Sequence, residues 1–413
     1  MSAQPHDAVA ATLPEIFETC IGCGICREFC PVFDDLFALA RERSEGRAPL
    51  DAIAQQADAL AGNCYFCGRC ESACPLDLPL EQLAWENLRA RHESSGAPRA
   101  LKWSSDVARL ARWRGRLGWL LALLGSLGRK ILQKLTGIDA RAPLPPRGKP
   151  RLARWWKKHP NVQGVEGAPR VAVFAGCQAS LCDGGQARAL IETLERSGCE
   201  VELLAHESCC GAPEFAAARA DAAGAKLGAM LVQLERAAES GREIVMLESA
   251  CVKMIRRDGR HVFEDAKRLK KLRVHGAAEY LWKLHEAGTL ARPARALEGT
   301  IAWHEGCVDA ALGTQHESLR LLRQVPGLDV KRLDATCCGM GGAWGLRAEN
   351  FDRAQSFCEQ GAGKALADSG AQTLASECAQ CRLQLGGAGT HARSVIEIYR
   401  ESLDPADGGD AGS

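Results

Sequence analysis

Eight cysteines near the start of the sequence repeat one spacing twice, and this spacing suits the binding of iron-sulfur clusters. In each copy three cysteines stand at intervals of three residues, a fourth follows after three further residues, and a proline comes next. Thiolates at this spacing hold [4Fe-4S] cubanes. The first copy contains Cys20, Cys23, Cys26 and Cys30, and the second contains Cys64, Cys67, Cys70 and Cys74.

The fourth cysteine of each copy is expected to serve the cluster of the other copy. The loop with the first three cysteines folds around one cluster, whereas the fourth begins a segment that points away from it. Glycines between the cysteines, such as Gly24 and Gly68, let backbone N–H groups approach the sulfur atoms. The predicted ligand sets are Cys20, Cys23, Cys26 and Cys74 for one cubane, and Cys64, Cys67, Cys70 and Cys30 for the other.

Zinc is the alternative metal, because four thiolates also bind Zn²⁺. Zinc sites usually combine two short CxxC pairs, whereas each run here carries four cysteines before a proline, so we favour iron and sulfide. The chain of 413 residues contains 20 cysteines and shows no apolar signal segment at its N-terminus. We therefore expect a reducing compartment, in which the cysteines are mostly metal ligands rather than disulfide partners.

The residues around the two copies predict a helical N-terminal domain over 1–98. Residues 32–63, between the copies, are too many for a compact loop, and the stretches 34–40 and 52–60 have helical composition. Residues 80–91 resemble a closing helix. The expected domain is an α-helical ferredoxin with two [4Fe-4S] motifs rather than the small β-rich kind.

Residues 99–160 form a basic connector that is rich in tryptophan. They contain 16 lysines or arginines against two aspartates, a local net charge of +14 in a chain whose total is +1. Five of the nine tryptophans also fall here. The apolar run 117–127 has 11 residues, about 16 Å of helix, whereas the bilayer core is about 30 Å thick. This run therefore cannot cross a membrane alone.

A short apolar helix flanked by basic residues suits the surface of an anionic membrane, where each lysine or arginine adds about 1 kcal/mol of attraction. Two other interpretations stay open, namely contact with an acidic partner subunit and a basic face that is only solvated. No nucleic-acid recognition module accompanies the charge, so nucleic acid is not an expected partner. We expect a cytoplasmic protein that is peripheral on the inner face of the cell membrane.

The rest of the chain contains an internal repeat. An apolar strand followed by Cys177 is echoed by one followed by Cys307, and the triplet Cys-Cys-Gly at 209–211 is echoed at 337–339, offset by 128 residues. Each copy alternates strands with helices, and its cysteines fall where strands end, which is where parallel sheets place ligands. The predicted units are a first α/β half over 161–295, a second α/β half over 296–403, and a tail over 404–413.

Each Cys-Cys-Gly triplet predicts a metal site. Adjacent side chains normally diverge, so both thiols reach one metal assembly only from a loop with unusual backbone angles, which Gly211 and Gly339 can supply. Met254 stands where the first half would have a fifth cysteine. We interpret His304 as an ordinary polar residue at a strand end, with a hydrogen bond to a cluster sulfur as the alternative. The candidate ligands are Cys177, Cys209, Cys210 and Cys251 in the first half, and Cys307, Cys337, Cys338, Cys378 and Cys381 in the second.

Together, these motifs resemble the cysteine-rich (CCG-domain) iron-sulfur proteins typified by the iron-sulfur subunit of anaerobic glycerol-3-phosphate dehydrogenase. The wider family includes the iron-sulfur subunits of glycolate and lactate oxidases and heterodisulfide reductase. The resemblance runs from Cys20 to about Tyr399. It implies an electron-transfer subunit that takes electrons from a partner flavin-containing dehydrogenase and delivers them to membrane quinone. In heterodisulfide reductase relatives, duplicated CCG motifs bind noncubane clusters that cleave a disulfide, a pattern from which Met254 departs.

We therefore interpret the chain as a non-catalytic, electron-transfer subunit of an oxidoreductase complex. The expected cofactors are two [4Fe-4S] clusters, with one or two additional iron-sulfur clusters at the CCG sites. No glycine-rich nucleotide loop followed by Lys-Ser or Lys-Thr is present, so we expect the flavin on the partner. The alternatives are the iron-sulfur subunit of a glycolate or lactate oxidase, and a thiol-disulfide reductase resembling heterodisulfide reductase.

Overall fold

A computed structural model gives the architecture of most of the chain beyond residue 61. Within the described part, the chain forms two parallel sheets of four strands each, with helices before, between and after the strands. The described residues are 21, 23–28, 30, 35, 38, 42, 45–47, 62–113, 123–144, 152–160, 167–204, 209–334, 337–386 and 390–404.

Before the first strand, the elements among the described residues are helices. The predicted closing helix extends four residues beyond its expected end at 91, because the next turn continues until Gly96, whose φ of +79° stops the helix. Positions 35, 38 and 42 are also helical, whereas the predicted helix over 52–60 lies outside the described residues. The helices with fully described bounds here are α1 (Arg69–Ala73), α2 (Leu80–Ser95), α3 (Arg99–Ser104), α4 (Gly125–Thr136) and α5 (Leu152–Trp156). Residues 107–113 are helical as well.

The first half of the repeat forms a four-stranded parallel sheet. Its strands are β1 (Arg170–Phe174), β2 (Glu200–Leu203), β3 (Glu243–Met246) and β4 (Val274–Gly276), in the order β2-β1-β3-β4. All of β1 after its first residue is buried, as is typical of parallel strands covered by helices on both faces. The loops that follow the strands therefore open at one edge of the sheet.

The second half repeats this topology. Its strands are β5 (Gly299–Trp303), β6 (Leu328–Arg332), β7 (Thr373–Ala375) and β8 (His391–Arg393), in the order β6-β5-β7-β8. The predicted fold class, with two duplicated α/β halves after a ferredoxin-like region, is confirmed. Strands β4 and β8 have three residues each and therefore carry no readable alternation in the sequence.

Helices follow the strands in both halves and cover the two sheets. In the first half they are α6 (Gly176–Leu181), α7 (Gly185–Arg196), α8 (Ala212–Ala216), α9 (Ala220–Glu239), α10 (Ser249–Arg256), α11 (Ala266–Lys271) and α12 (Ala277–Glu286). In the second half they are α13 (Cys307–Leu312), α14 (Gln315–Arg323), α15 (Phe351–Gln360), α16 (Ala362–Ser369), α17 (Ala379–Leu385) and α18 (Val395–Ser402).

One hydrophobic core joins the two halves. Helix α7 of the first half packs against α18 of the second, and α12 packs against α14. Buried side chains from both halves meet there, among them Leu190, Tyr280, Trp303 and Leu322. Because separating the halves would expose this apolar surface to water, we expect them to fold together.

Helix α2 attaches the N-terminal domain to the first half. The indole of Trp85 stacks on Phe215 with ring centroids 4.8 Å apart, and its Nε1–H donates to the Phe215 carbonyl at 2.9 Å. Leu88 is buried with Trp85 and Phe215 in a second apolar cluster, separate from the core that joins the halves. The closing helix therefore covers part of the first half as well as its own domain.

The connector packs partly on the second half. Ile138 is fully buried and pairs with Arg347 in an isolated antiparallel bridge. Leu152 is fully buried in the shared core, and Trp155 and Trp156 pack against that core. These two tryptophans are half-buried, so part of each ring contacts protein and part is exposed.

An exposed apolar surface remains on and just before α4. It consists of Leu123, Leu124, Leu127 and Leu135, and we call it the α4 surface. Residues 117–122 of the predicted apolar run lie outside the described residues. Within the described ranges, every helix is too short or too polar to span a bilayer. The predicted domain boundaries, at 98, 160, 295 and 403, stay predictions.

Candidate iron-sulfur centres

The second half gathers five thiols at the carboxyl edge of its sheet, where loops from parallel strands converge. Three strands supply them, through the segments that follow β5, β6 and β7. Cys307 lies near enough to Cys337 and Cys378 for their charges to raise its pKa, and hydrogen bonds link Cys381 to both Cys338 and Cys378. The structure thus brings together the five predicted ligands of this half, which we call the second CCG pocket.

Hydrogen bonds between these thiols separate their pKa values. The pKa of Cys338 lies well below its ordinary value, because the thiol of Cys381 donates a hydrogen bond to it and the imidazole of His304 lies beside it. The contact with Cys338 raises the pKa of Cys381, and Cys378 adds to the rise. Because the thiolate is the form that binds metal, Cys338 is the ligand most ready to bind.

Glycine makes the two double-cysteine turns possible. Gly339 has a φ of +81°, and a Cβ at this position would lie 2.3 Å from the carbonyl oxygen of Ala354. Its N–H donates to Cys337 Sγ at 3.3 Å. Gly211 has a φ of +86°, and a Cβ there would lie 2.6 Å from the carbonyl oxygen of Ala223. Both glycines thus have the unusual backbone angles that the sequence predicted, whereas the metal assembly itself stays a prediction.

The first half forms a smaller pocket from four thiols, which we call the first CCG pocket. The pKa of Cys209 falls to about 3, because the thiols of Cys177 and Cys210 donate hydrogen bonds to its sulfur. Contacts with Cys209 and Cys251 raise the pKa of Cys210. Met254 is fully buried in the apolar core, so it packs where a fifth ligand would otherwise stand.

The second N-terminal motif forms a third group of thiols. Burial raises the pKa of Cys64, and the nearby sulfur of Cys30 raises it further. Burial also raises the pKa of Cys70, and the nearby sulfurs of Cys67, Cys64 and Cys30 raise it further. The N–H of Phe66 donates to Cys64 Sγ at 3.4 Å. Cys30, from the first motif, thus lies beside the second motif, where the crossed ligand sets need it.

The other N-terminal ligand set is described only in part. Cys20 lies outside the described residues. Cys26 lies in the 3₁₀ turn Ile25–Arg27, which contacts α1, and Cys74 is the residue that ends α1. Cys23 is exposed in the segment before that turn. Ligation by this set, as by the others, stays a prediction.

One contact joins the N-terminal domain to the second CCG pocket. The thiol of Cys307 donates a hydrogen bond to Cys67 Sγ, which lowers the pKa of Cys67 to about 6 and raises the pKa of Cys307. Helices α1 and α13 pack against each other around this contact. Predicted ligands from two different domains therefore touch.

Side chains of the second half hold the second motif in this position. Arg69 forms an ion pair with Glu305 at 2.9 Å. The ring of Tyr65 lies against Trp344 with centroids 4.9 Å apart, and Trp344 Nε1–H donates to the Gly62 carbonyl at 3.1 Å. These contacts lie on both sides of Cys64 and Cys67 in the sequence, so the motif is fixed at both ends.

A buried lysine ties the same motif to the first half. Lys253 is 2% exposed, and its Nζ donates to Glu81 and Asp258 at 2.7 Å and to the Phe66 carbonyl at 3.3 Å. Burial lowers the pKa of Lys253, but Asp258 and Glu81 outweigh this effect and raise it, so the lysine is charged. The hydrogen bond from Cys307 lowers the pKa of Cys67 most, burial opposes it, and the N–H of Arg69 and the charge of Lys253 lower this pKa further.

The donor chemistry of the three groups fits iron-sulfur clusters. Cysteine thiolates are the usual ligands of such clusters. No disulfide joins the cysteines of the described ranges, so none competes there with metal binding. Cys209 and Cys338 are buried, yet their pKa values are lowered, because neighbouring thiols donate hydrogen bonds to them. The residues present therefore suit the predicted cofactor.

Comparison with known families gives the same class of protein. Residues 19–79 match the 4Fe-4S dicluster domain, and residues 171–256 and 301–386 match the cysteine-rich (CCG) domain. Every predicted ligand lies within one of these ranges. The chain belongs to the family of iron-sulfur proteins that combine a dicluster domain with two cysteine-rich domains.

Within this family, the chain is similar to the C subunit of anaerobic glycerol-3-phosphate dehydrogenase from Escherichia coli (strain K12). The two are 28% identical over 261 residues, which cover 62% of this chain and 64% of the relative, less than two thirds of its length. The chain is also similar to lactate utilization protein A 1 of Bacillus cereus (strain AH820), with 27% identity over 225 residues, 53% of this chain and 90% of that protein. The resemblance inferred from the motifs is confirmed.

Two features of the site were not predicted from the sequence, and a third, His304, was considered only as an alternative. The contact between Cys67 and Cys307 depends on how two domains dock, so no local pattern indicates it. Lys253 could have been noticed in the sequence, since it is a charged residue among the apolar residues of α10, which are buried. His304, interpreted as an ordinary polar residue, is buried beside Cys338.

Proposed function

We propose that this protein is the electron-transfer subunit of an oxidoreductase complex. It takes electrons from a partner flavin-containing dehydrogenase and passes them to membrane quinone. Two [4Fe-4S] clusters occupy the N-terminal motifs, and one or two further iron-sulfur clusters occupy the CCG pockets. One observation carries the proposal: the thiols of Cys67 and Cys307 are in contact, so the dicluster domain adjoins the second CCG pocket.

Bound clusters would supply one-electron chemistry, and the chain supplies their placement. The thiols of Cys67 and Cys307 touch directly, so no side chain separates the two sites that they would help to form. Arg69 and Lys253 place positive charge beside Cys67. Positive charge near a cluster favours its more negative, reduced state. Burial of the thiols, as at Cys338, keeps water away from the sulfur atoms.

Similarity supports the choice of partner. The relative from Escherichia coli is named as a subunit of anaerobic glycerol-3-phosphate dehydrogenase, so we propose a dehydrogenase of that type as the electron donor. The relatives named for lactate utilization favour a second candidate, in which the partner oxidises lactate or glycolate. The electron-transfer role of this chain is the same in both cases.

The α4 surface supports delivery of electrons to the membrane. Leu123 is 75% exposed and Leu127 is 57% exposed, and Lys130 and Lys134 follow on the same helix. Exposed leucines beside positive charge suit the interface of an anionic bilayer. We propose that this surface rests on the inner face of the cell membrane, close to the quinone.

Reoxidation by quinone tests the proposal. Anaerobically purified protein, reduced with dithionite and freed of excess reductant, is mixed with a water-soluble quinone while its visible absorbance is followed. We expect rapid reoxidation, and a much slower reaction in Cys307→Ala. Cys199→Ala is the matched control, because this buried thiol lies in the shared core. Reaction with a disulfide but not with quinone would contradict the proposal and favour a thiol-disulfide reductase.

A further inference from the structure

One buried imidazole faces the second CCG pocket. His304 follows β5 directly and is 1% exposed. Neither of its ring nitrogens has a nitrogen or oxygen partner for a hydrogen bond. Burying polar nitrogens without partners costs free energy, so a native structure rarely keeps them this way without a reason. The sulfur atoms of Cys338 and Cys381 lie beside the ring, so the partner that this pocket offers is sulfur or a metal held by it.

The geometry around His304 suits a metal. A ring nitrogen of His304 and the sulfur atoms of Cys338 and Cys381 all lie within 4.8 Å of one another. In a tetrahedral site with bonds of about 2.0 Å to nitrogen and about 2.3 Å to sulfur, the ligand atoms are about 3.5–3.8 Å apart. The three groups therefore need to approach by only about 1 Å to share one metal ion.

The backbone fixes where the imidazole points. The N–H of His304 donates to the carbonyl of Ala375 at 2.9 Å, which continues the pairing between β5 and β7 by one residue. The ring thus starts from a sheet rather than from a mobile loop. Because neither nitrogen is committed to another oxygen or nitrogen, either one is available to a metal.

We propose that a ring nitrogen of His304 binds the metal centre of the second CCG pocket, beside Cys338 and Cys381. This rests on the proposed function only in taking that centre to contain iron and sulfide. A neutral imidazole adds no negative charge to the centre, unlike a thiolate. Histidine ligation raises the potential of iron-sulfur centres. We therefore expect a higher reduction potential here than at the all-cysteine sites of the N-terminal motifs.

Isotope-edited pulsed EPR tests the ligation directly. Full-length protein is reconstituted with iron and sulfide and poised at a series of potentials, with natural or ¹⁵N-labelled histidine. We expect a strong nitrogen coupling that changes with the histidine label and disappears in His304→Gln. His391→Gln is the control, since His391 is exposed at the amino end of β8, away from the cysteine edge. The control should keep the coupling.

A second variant separates ligation from a role in folding alone. His304→Cys offers a thiolate in place of the imidazole, so the iron content should stay unchanged while the histidine coupling is lost. The potential of this centre should become more negative, because the thiolate adds charge. Three results would overturn the proposal: no histidine coupling at any potential, a coupling that survives in His304→Gln, or a second CCG pocket without iron. Reducible clusters in the N-terminal motifs would leave electron transfer standing in each case.

Discussion

Replacing Lys253 with methionine removes the charge that ties the second N-terminal motif to the first half. Methionine keeps a flexible apolar stem but cannot pair with Glu81 and Asp258, which both bind the lysine at 2.7 Å. Removing one partner of a buried ion pair costs about 3–5 kcal/mol, because the other charge stays buried without compensation. We expect the free energy of unfolding to fall by about this amount at pH 8.

The loss should be smaller in acid. Burial raises the pKa of Glu81 from 4.5 to about 7, and it also raises the pKa of Asp258, even with Lys253 present. A carboxyl whose pKa is raised by folding stabilises the folded state below its unfolded pKa, and this contribution is lost as pH rises through the folded pKa. Without Lys253 the pKa values of Glu81 and Asp258 rise further. At pH 5.5 both carboxyls are therefore protonated, and the cost of burying their charges is gone.

Urea unfolding under anaerobic conditions, followed by circular dichroism at pH 5.5 and pH 8, measures this penalty. Lys283→Met is the matched control. Its side chain is 49% exposed and pairs with Glu243 at the surface, so we expect a loss of at most about 1 kcal/mol at either pH. Equal penalties for the two variants, or a Lys253→Met penalty that does not depend on pH, would refute the reasoning.

Three further changes have definite expected outcomes. Gly339→Ala should lower the free energy of unfolding by more than about 2 kcal/mol and deplete iron from the second CCG pocket, because its Cβ would meet a carbonyl oxygen. Gly370→Ala is the control, since Gly370 has a φ of +68° but lies in open space. In urea unfolding this control should lose about 1 kcal/mol, and it should keep its iron. Leu127→Glu should weaken flotation with anionic vesicles about tenfold, since it removes apolar area from the α4 surface. Val232→Glu, on α9, is the control and should leave flotation unchanged. Equal flotation of both variants would count against membrane contact. Arg69→Gln should shift one N-terminal cluster to a more negative potential in an EPR redox titration, because one positive charge beside Cys67 is lost; an unchanged potential would show that this charge has no such role.

Much of the fold was readable from the cysteines and their spacing. Parallel strands end at one edge of a sheet, so cysteines after successive strands had to converge, and Cys307, Cys337 and Cys378 do. The double-cysteine turns needed a residue without a side chain, and the glycine after each cysteine pair is visible in the sequence. Gly211 and Gly339 have the expected positive φ.

Other features depended on contacts between distant segments. The connector is basic and rich in tryptophan, yet Ile138 and Leu152 are fully buried, and Trp155 and Trp156 pack against the shared core. Charge and composition do not reveal which face of such a segment finds an apolar partner. The burial of Lys253 depends in the same way on Glu81, from another domain, which supplies the carboxylate that compensates its charge.

The central claim is that thiols of the dicluster domain and of the second CCG pocket hold adjoining redox centres. EPR spectra of anaerobic protein during stepwise reduction, with iron and sulfide analysis of the same samples, test it most directly. We expect more than about eight iron atoms per chain and signals broadened by interaction between neighbouring centres, with the broadening lost in Cys307→Ala. Protein without iron and sulfide after reconstitution, or signals that show no interaction at any potential, would contradict the claim.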